Sequence, residues 1–80
     1  MLKIYTDGAC SKNPGPGGYG IIVMDDNDNV IYYDSKYEND TTNNIQEIKA
    51  LIHGFAFAKL RPQEKCIIYS DSAYAIGVFT

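Results

Sequence analysis

The sequence predicts an α/β fold: a mixed sheet of four strands in the order 3-2-1-4, with one crossover helix over residues 43–60. Two observations lead to this prediction. Three short runs rich in β-branched and aromatic residues precede a single long stretch with helical periodicity, and a fourth such run follows it. A chain of 80 residues builds one modest core at most, so these elements belong to one domain.

The first three strands are predicted from short β-type runs. LKIYT ends near Asp7, where the Gly- and Pro-rich segment GACSKNPGPGG is expected to interrupt regular structure. GYGIIVMD and NVIYYDSKYE flank the polar turn DDNDN, which is typical of an antiparallel hairpin. A calcium-binding EF-hand loop is the alternative for this turn, but Val30 stands where that pattern needs glycine. We therefore expect a solvated hairpin turn.

The helix is predicted in TTNNIQEIKALIHGFAFAKL. Its apolar residues recur at steps of three and four, which is typical of a helix: Ile45, Ile48, Leu51, Ile52 and Phe55. Asn43 is expected to cap the helix with Gln46 three positions later, and Pro62 ends it. Gly54 indicates close packing, because glycine weakens a helix interior. His53 is expected to be a surface or packed residue rather than a metal ligand.

The fourth strand is predicted in KCIIYS, and Asp71 or Ser72 is expected to cap a further helix begun by AYAIGVFT. Strand 2 is antiparallel to strands 1 and 3. The crossover helix makes strand 4 parallel to strand 1 and places it next to strand 1. Asp7 and Asp71 then lie at the carboxyl ends of two adjacent strands. Glu47, early in the helix, is expected to lean over the same place.

Three carboxylates at one place repel one another unless a cation lies between them. Oxygen ligands suit a hard divalent ion such as Mg²⁺ or Mn²⁺. Two such ions about 3.5 to 4 Å apart align a water and a leaving oxygen for phosphodiester hydrolysis. Asp7, Glu47 and Asp71 are therefore the candidate catalytic and metal-binding residues. Taken singly, each acid also has an ordinary structural role at a loop, a helix N-terminus or a cap.

The composition of the sequence indicates the cellular compartment of the protein and the kinds of partner it binds. The sequence has no run of about 20 apolar residues and no signal peptide, which predicts a cytoplasmic protein with no membrane partner. Cys10 and Cys66 are too far apart for a redox or zinc pair, so both are expected to be structural thiols. The net charge of −3 argues against a partner held by bulk electrostatics.

At these same residues the sequence resembles type 1 ribonuclease H. The segments YTDGACSKNPGPGGYG, TTNNIQE and YSDSAY are similar to three motifs of that family, in order and at similar spacing. The resemblance implies a ribonuclease H-like sheet in which Asp7, Glu47 and Asp71 match metal-binding carboxylates. It implies hydrolysis of the RNA strand of an RNA·DNA hybrid with Mg²⁺, or Mn²⁺ as a substitute, leaving 5′-phosphate and 3′-hydroxyl ends. It also implies contacts with the hybrid at Cys10, Asn13, Thr42, Asn43 and Asn44.

The sequence departs from the family pattern in two ways. Ala73 stands where the family commonly carries a Gln that contacts the hybrid. The family domain is also longer, so residues 1–80 are expected to form a truncated, partial ribonuclease H domain without the fourth carboxylate and the basic region. An exposed strand 4 would favour a homodimer, through that edge or by swapping the terminal helix. A non-catalytic ribonuclease H-like binding or assembly module is the alternative function.

Overall fold

The computed structural model describes residues 1–70 and the backbone of residues 74–79. The elements within these residues are, in chain order, β1 (Leu2–Cys10), β2 (Gly15–Met24), β3 (Val30–Thr41), α1 (Asn43–Lys59), β4 (Cys66–Ser70) and β5 (Tyr74–Phe79). The strands form one sheet in the order β3-β2-β1-β4-β5. β1 pairs antiparallel with β2 and parallel with β4, and β2 pairs antiparallel with β3. The predicted order and directions of the first four strands are therefore confirmed.

β1 does not end near Asp7 but continues to Cys10. Cys10 pairs with Gly17, so much of the Gly-rich segment lies within the antiparallel ladder. Pro16 lies at an irregularity of the β2–β3 pairing, which is where a strand tolerates a residue without an N–H. The expected interruption of regular structure is therefore confined to residues 11–14, the β1–β2 loop.

The polar segment between β2 and β3 is a hairpin turn, as predicted. The Asp25 carboxylate accepts hydrogen bonds from the backbone N–H groups of Asn29 (3.0 Å) and Asn27 (2.8 Å). These bonds hold the pKa of Asp25 below its usual value. Asp28 has a φ of 61°, in the left-handed region that Asp tolerates better than most residues.

α1 packs on one face of the sheet, and most of its large apolar residues lie on the side turned away from the sheet, although Leu51 is half-buried and packs against the core. Ile48 and Ile52 are 56% and 59% exposed, and Ile45 and Phe55 are also exposed. The side that is buried carries mostly small residues: Gln46, Ala50, Gly54, Phe57 and Ala58. Both sides have helical spacing, but small residues let the helix approach the sheet closely. The core between α1 and the sheet is filled mainly by side chains of the strands: Leu2, Ile4, Ile21, Val23, Cys66 and Ile68.

The ends of α1 also differ slightly from the prediction. Thr42, rather than Asn43, is the N-cap, and its hydroxyl oxygen accepts a hydrogen bond from the Ile45 N–H at 3.2 Å. The helix ends at Lys59, one residue earlier than predicted, with Leu60 as the C-cap. Among the described residues no helix is long and apolar enough to cross a membrane.

The sequence predicted a helix for residues 74–79, and this prediction is wrong. These residues form the strand β5, which is antiparallel to β4. Tyr74, Ile76, Val78 and Phe79 are residue types that favour strands, and the edge of β4 offers them backbone hydrogen bonds. The edge of β4 is therefore covered, and the reason for a homodimer through that edge or through a swapped terminal helix is removed. Asp71 and Ser72, predicted as helix caps, lie outside the described residues.

Candidate active site

The first turns of α1 touch β1 at Gly8. A Cβ at this position would come within 2.5 Å of the Glu47 backbone nitrogen and 2.7 Å of the Gln46 carbonyl oxygen. Only glycine permits such an approach, because any side chain would overlap the helix backbone. This contact places the backbone of Glu47 against Gly8, which directly follows Asp7 in β1.

The two described acids are available to a ligand. Asp7 is exposed and Glu47 is half-buried, and within the described residues neither carboxylate makes a hydrogen bond or an ion pair. Asp7 also borders an open groove on the helix-free face of the sheet, which Tyr5, Tyr33 and Tyr37 help to line. Carboxylate oxygens of this kind suit Mg²⁺ or Mn²⁺ as ligands.

The third predicted acid, Asp71, lies outside the described residues. The pairing of β1 with β4 places Thr6 opposite Ser70. In the sequence Asp7 directly follows Thr6, and Asp71 directly follows Ser70. Among the residues that the structure describes, no three potential metal ligands form a cluster. The convergence of three carboxylates therefore stays a prediction.

The predicted hybrid contacts lie where the β1–β2 loop meets the N-terminus of α1. The side-chain oxygen of Asn13 accepts a hydrogen bond from the Asn43 N–H at 2.9 Å. The Cys10 sulfur lies 3.3 Å from the carbonyl oxygens of both Gly15 and Thr41 and also contacts the Lys12 carbonyl oxygen, so its single S–H can donate to one of them at a time. The loop is thereby attached to the start of the helix, and Thr42, Asn43 and Asn44 follow directly. The five predicted contact residues thus form one continuous surface.

A polar cluster next to this surface connects α1 to the end of β3. The buried Gln46 side chain donates hydrogen bonds to the Thr41 hydroxyl at 2.8 Å and to the Glu38 carboxylate at 3.1 Å. Lys49 forms an ion pair with the same carboxylate. The Lys49 hydrogen bond, and then that of Gln46, hold the pKa of Glu38 below its usual value. The other amide atom of Gln46, Oε1, is buried and accepts no hydrogen bond within the described part of the chain.

The sequence matches the RNase H family over residues 1–80. The chain belongs to the RNase H family. A ribonuclease H from Thermoanaerobacter sp. (strain X514) is 46% identical over 84 residues, which cover 99% of this chain and 48% of that protein. The chain thus spans about half the length of such RNase H relatives.

Solved RNase H structures share the fold. LC11-RNase H1, isolated from compost by a metagenomic approach, matches with a TM-score of 0.80 and 32% identity over 91% of this chain and 55% of that one. A crystal structure of LC11-RNase H1 in complex with an RNA/DNA hybrid matches with a TM-score of 0.76 and 31% identity, covering 91% of this chain and 56% of that one.

Sequence reasoning about this RNase H chain missed Gly8 and Gln46. The role of Gly8 has a signal in the sequence, since a glycine inside a strand indicates the close approach of another backbone segment. The sequence assigns Gln46 to a capping box, and although Gln46 has helical spacing with Ala50 and Gly54, its polar side chain does not indicate burial. The expected structural role of Cys66 agrees with its complete burial, which raises the pKa of its thiol and keeps it unreactive.

Proposed function

We propose that this chain is the part of a ribonuclease H that carries three metal-binding acids and part of the hybrid-binding surface. The enzyme would hydrolyse the RNA strand of an RNA·DNA hybrid, leaving 5′-phosphate and 3′-hydroxyl ends. The observation that supports the proposal is the contact of Gly8 with α1, which places the Glu47 backbone against the residue that directly follows Asp7, in a chain of the RNase H family.

Asp7, Glu47 and Asp71 are the proposed catalytic and metal-binding residues. The exposure of Asp7 and the lack of any described partner for either Asp7 or Glu47 support this assignment. The Thr6–Ser70 pair supports a place for Asp71 next to Asp7, because the two strands run parallel there. Mg²⁺, or Mn²⁺ in its place, would activate the attacking water and stabilise the leaving 3′ oxygen.

The surface formed by Cys10, Asn13, Thr42, Asn43 and Asn44 is the proposed contact with the hybrid. Asn13 uses its oxygen to hold the helix start, and its amide nitrogen makes no hydrogen bond within the described residues. That nitrogen is available to donate to a 2′-hydroxyl or a base edge in a minor groove, and the 2′-hydroxyl marks a strand as RNA. We place the protein in the cytoplasm, where reducing conditions keep Cys10 and Cys66 as thiols.

Cleavage of a hybrid with labelled RNA, in Mg²⁺ or Mn²⁺, tests the proposal. Asp7→Asn, Glu47→Gln and Asp71→Asn should each lower the cleavage rate by at least about 100-fold, since they remove metal ligands rather than the groups that support them. Asp40→Asn, a change at an exposed acid in β3, is the matched control and should cleave like the unsubstituted chain.

Calorimetry with Mn²⁺ gives a second result that does not depend on cleavage. Binding heat that is lost in Asp7→Asn supports the metal site even where the isolated chain cleaves slowly. Cleavage that persists in all three variants comes from a contaminating enzyme and contradicts the proposal. A folded chain with neither cleavage nor Mn²⁺ heat favours a non-catalytic binding module.

A further inference from the structure

The N-terminal half of α1 rests on the sheet through small residues. Between Gln46 and Gly54, Ala50 is fully buried, and the half-buried Leu51 packs against the core. A Cβ at Gly54 would lie 3.3 Å from a Thr6 methyl group and 3.4 Å from an Ile4 methyl group, so the helix lies very close to β1. Small residues form a smooth surface, and apolar packing alone therefore resists rotation of the helix about its axis only weakly.

Besides the contacts of Gln46 and Lys49 with the end of β3, polar contacts fix this rotation at His53. Its Nδ1 atom lies 3.1 Å from the Tyr19 hydroxyl and its Nε2 atom lies 3.0 Å from the Tyr32 hydroxyl. Both tyrosine rings meet the imidazole edge-on, at centroid distances of 5.8 and 6.0 Å. A neutral imidazole donates from one nitrogen and accepts at the other, and a tyrosine hydroxyl satisfies either need. The ring is therefore held from two strands, β2 and β3.

The large apolar side chain buried on this side of α1 depends on the same network. Phe57 packs against the Tyr32 ring at a centroid distance of 5.0 Å. Displacement of Tyr32 would thus loosen both the hydrogen bond to His53 and the packing of Phe57. The rotation of α1 therefore depends in part on where the two tyrosines lie.

Glu47 is sensitive to this rotation because it stands on the same rigid helix. It precedes His53 by six positions, a rise of about 9 Å. A rotation of about 20° moves a side-chain tip at a radius of about 5 to 6 Å by about 2 Å. Catalytic groups need placement within about 0.5 Å, so such a shift would disable a metal ligand.

We propose that His53, held between Tyr19 and Tyr32, is a positioning residue that sets the rotation of α1 and thereby the placement of Glu47 beside Asp7. The proposal rests on the proposed function only in giving Glu47 a catalytic role. The placement of Glu47 itself is measurable without substrate or metal.

Tyr19→Phe and Tyr32→Phe test the proposal, since each removes one hydroxyl and keeps the ring. Tyr33→Phe is the matched control, because Tyr33 is 76% exposed and contributes to the groove on the opposite face of the sheet. NMR of labelled protein would follow the His53 ring nitrogens and the amide and side-chain carboxyl of Glu47. We expect both sets of resonances to move in the first two variants and to stay in the control.

Mn²⁺ affinity gives the functional readout. Tyr19→Phe and Tyr32→Phe should weaken Mn²⁺ binding by about 10-fold, the effect typical of groups that orient a metal ligand. Unchanged Glu47 resonances, in folded variants whose His53 resonances have moved, would overturn the positioning role. If the unsubstituted chain binds no Mn²⁺, the proposed function fails, and the Glu47 resonances still decide whether His53 positions that residue.

Discussion

A side chain at position 8 would occupy space that the backbone of α1 already fills. The Cβ of an alanine there would overlap the backbone of Gln46 and Glu47, which is not free to move like a side-chain tip. Glycine at this position is thus required by packing rather than by a turn, since the structure describes no glycine with a positive φ. The identity of one residue thereby determines how close the backbone of Glu47 comes to β1.

Gly8→Ala should lower the free energy of unfolding by at least about 2 kcal/mol, because the helix must shift away from β1. Gly20→Ala is the matched control: it lies opposite Asp7 in β2, and its Cβ would meet only the Asp34 carbonyl oxygen at 3.8 Å. The control should change stability by no more than about 1 kcal/mol. Equal effects in urea unfolding of the two variants would contradict the close contact at Gly8.

Glu38 should make stability depend on pH in the acidic range. Its ion pair with Lys49, and then its hydrogen bond from Gln46, lower its pKa. A carboxyl whose pKa is lowered by folding stabilises the fold above its unfolded pKa, about 4.3. That contribution is lost as the pH falls through the lowered pKa of the folded state.

The difference in melting temperature between the unsubstituted chain and Glu38→Gln should therefore be largest above about pH 5 and shrink as the pH falls below about 4. Because the Glu38 side chain is 36% exposed and its partner Lys49 44%, water screens the ion pair and the effect should be small. Asp40→Asn, at another exposed acid of β3, controls for a general change in net charge. A difference that stays constant over this pH range would show that the Glu38 carboxylate contributes nothing specific.

At the scale of elements, α1 shows that periodicity alone does not identify a buried face. The helix has large apolar residues on one side and small residues on the other, and both recur at helical spacing. The small side lies against the sheet, where Gly54 contacts side chains of Thr6, Ile4 and Ile68. The close packing expected at Gly54 is confirmed.

Gly54→Leu should therefore destabilise the fold by about 1 to 3 kcal/mol or more, since the added side chain has no space between α1 and β1. Ala56→Leu changes an exposed position two residues later on the same helix and should alter stability by no more than about 0.5 kcal/mol. Thermal unfolding followed by circular dichroism compares the two variants. Tolerance of leucine at position 54 would mean that the helix does not lie this close to the sheet.

At the scale of the whole molecule, β1 is the central strand of the sheet. It pairs with β2 on one side and β4 on the other, while β3 and β5 form the two edges. Ile4 in β1 is fully buried, whereas Tyr33 in β3 is 76% exposed. Stability should therefore decrease from the centre of the sheet toward its edges.

Native-state hydrogen exchange should show this gradient. Amide hydrogens of β1 should exchange only through global unfolding, and those of β3 and β5 should exchange faster through local opening. The exchange rates measured by NMR at several low urea concentrations separate the two routes. Amides of β3 that exchange as slowly as those of β1 would contradict the order of strands.

The sequence by itself determined the strand order and the parallel pairing of β1 with β4. Local residue patterns and the handedness of crossover connections are sufficient for these. Asp71 remains a prediction from the same reasoning.

Only the tertiary structure decided which side of α1 is buried, that β1 continues to Cys10, and that residues 74–79 form a strand. It also revealed the contact at Gly8 and the His53 network. In each case two local conformations or faces are compatible with the sequence. The choice depends on contacts with residues distant in the chain, which no local pattern contains.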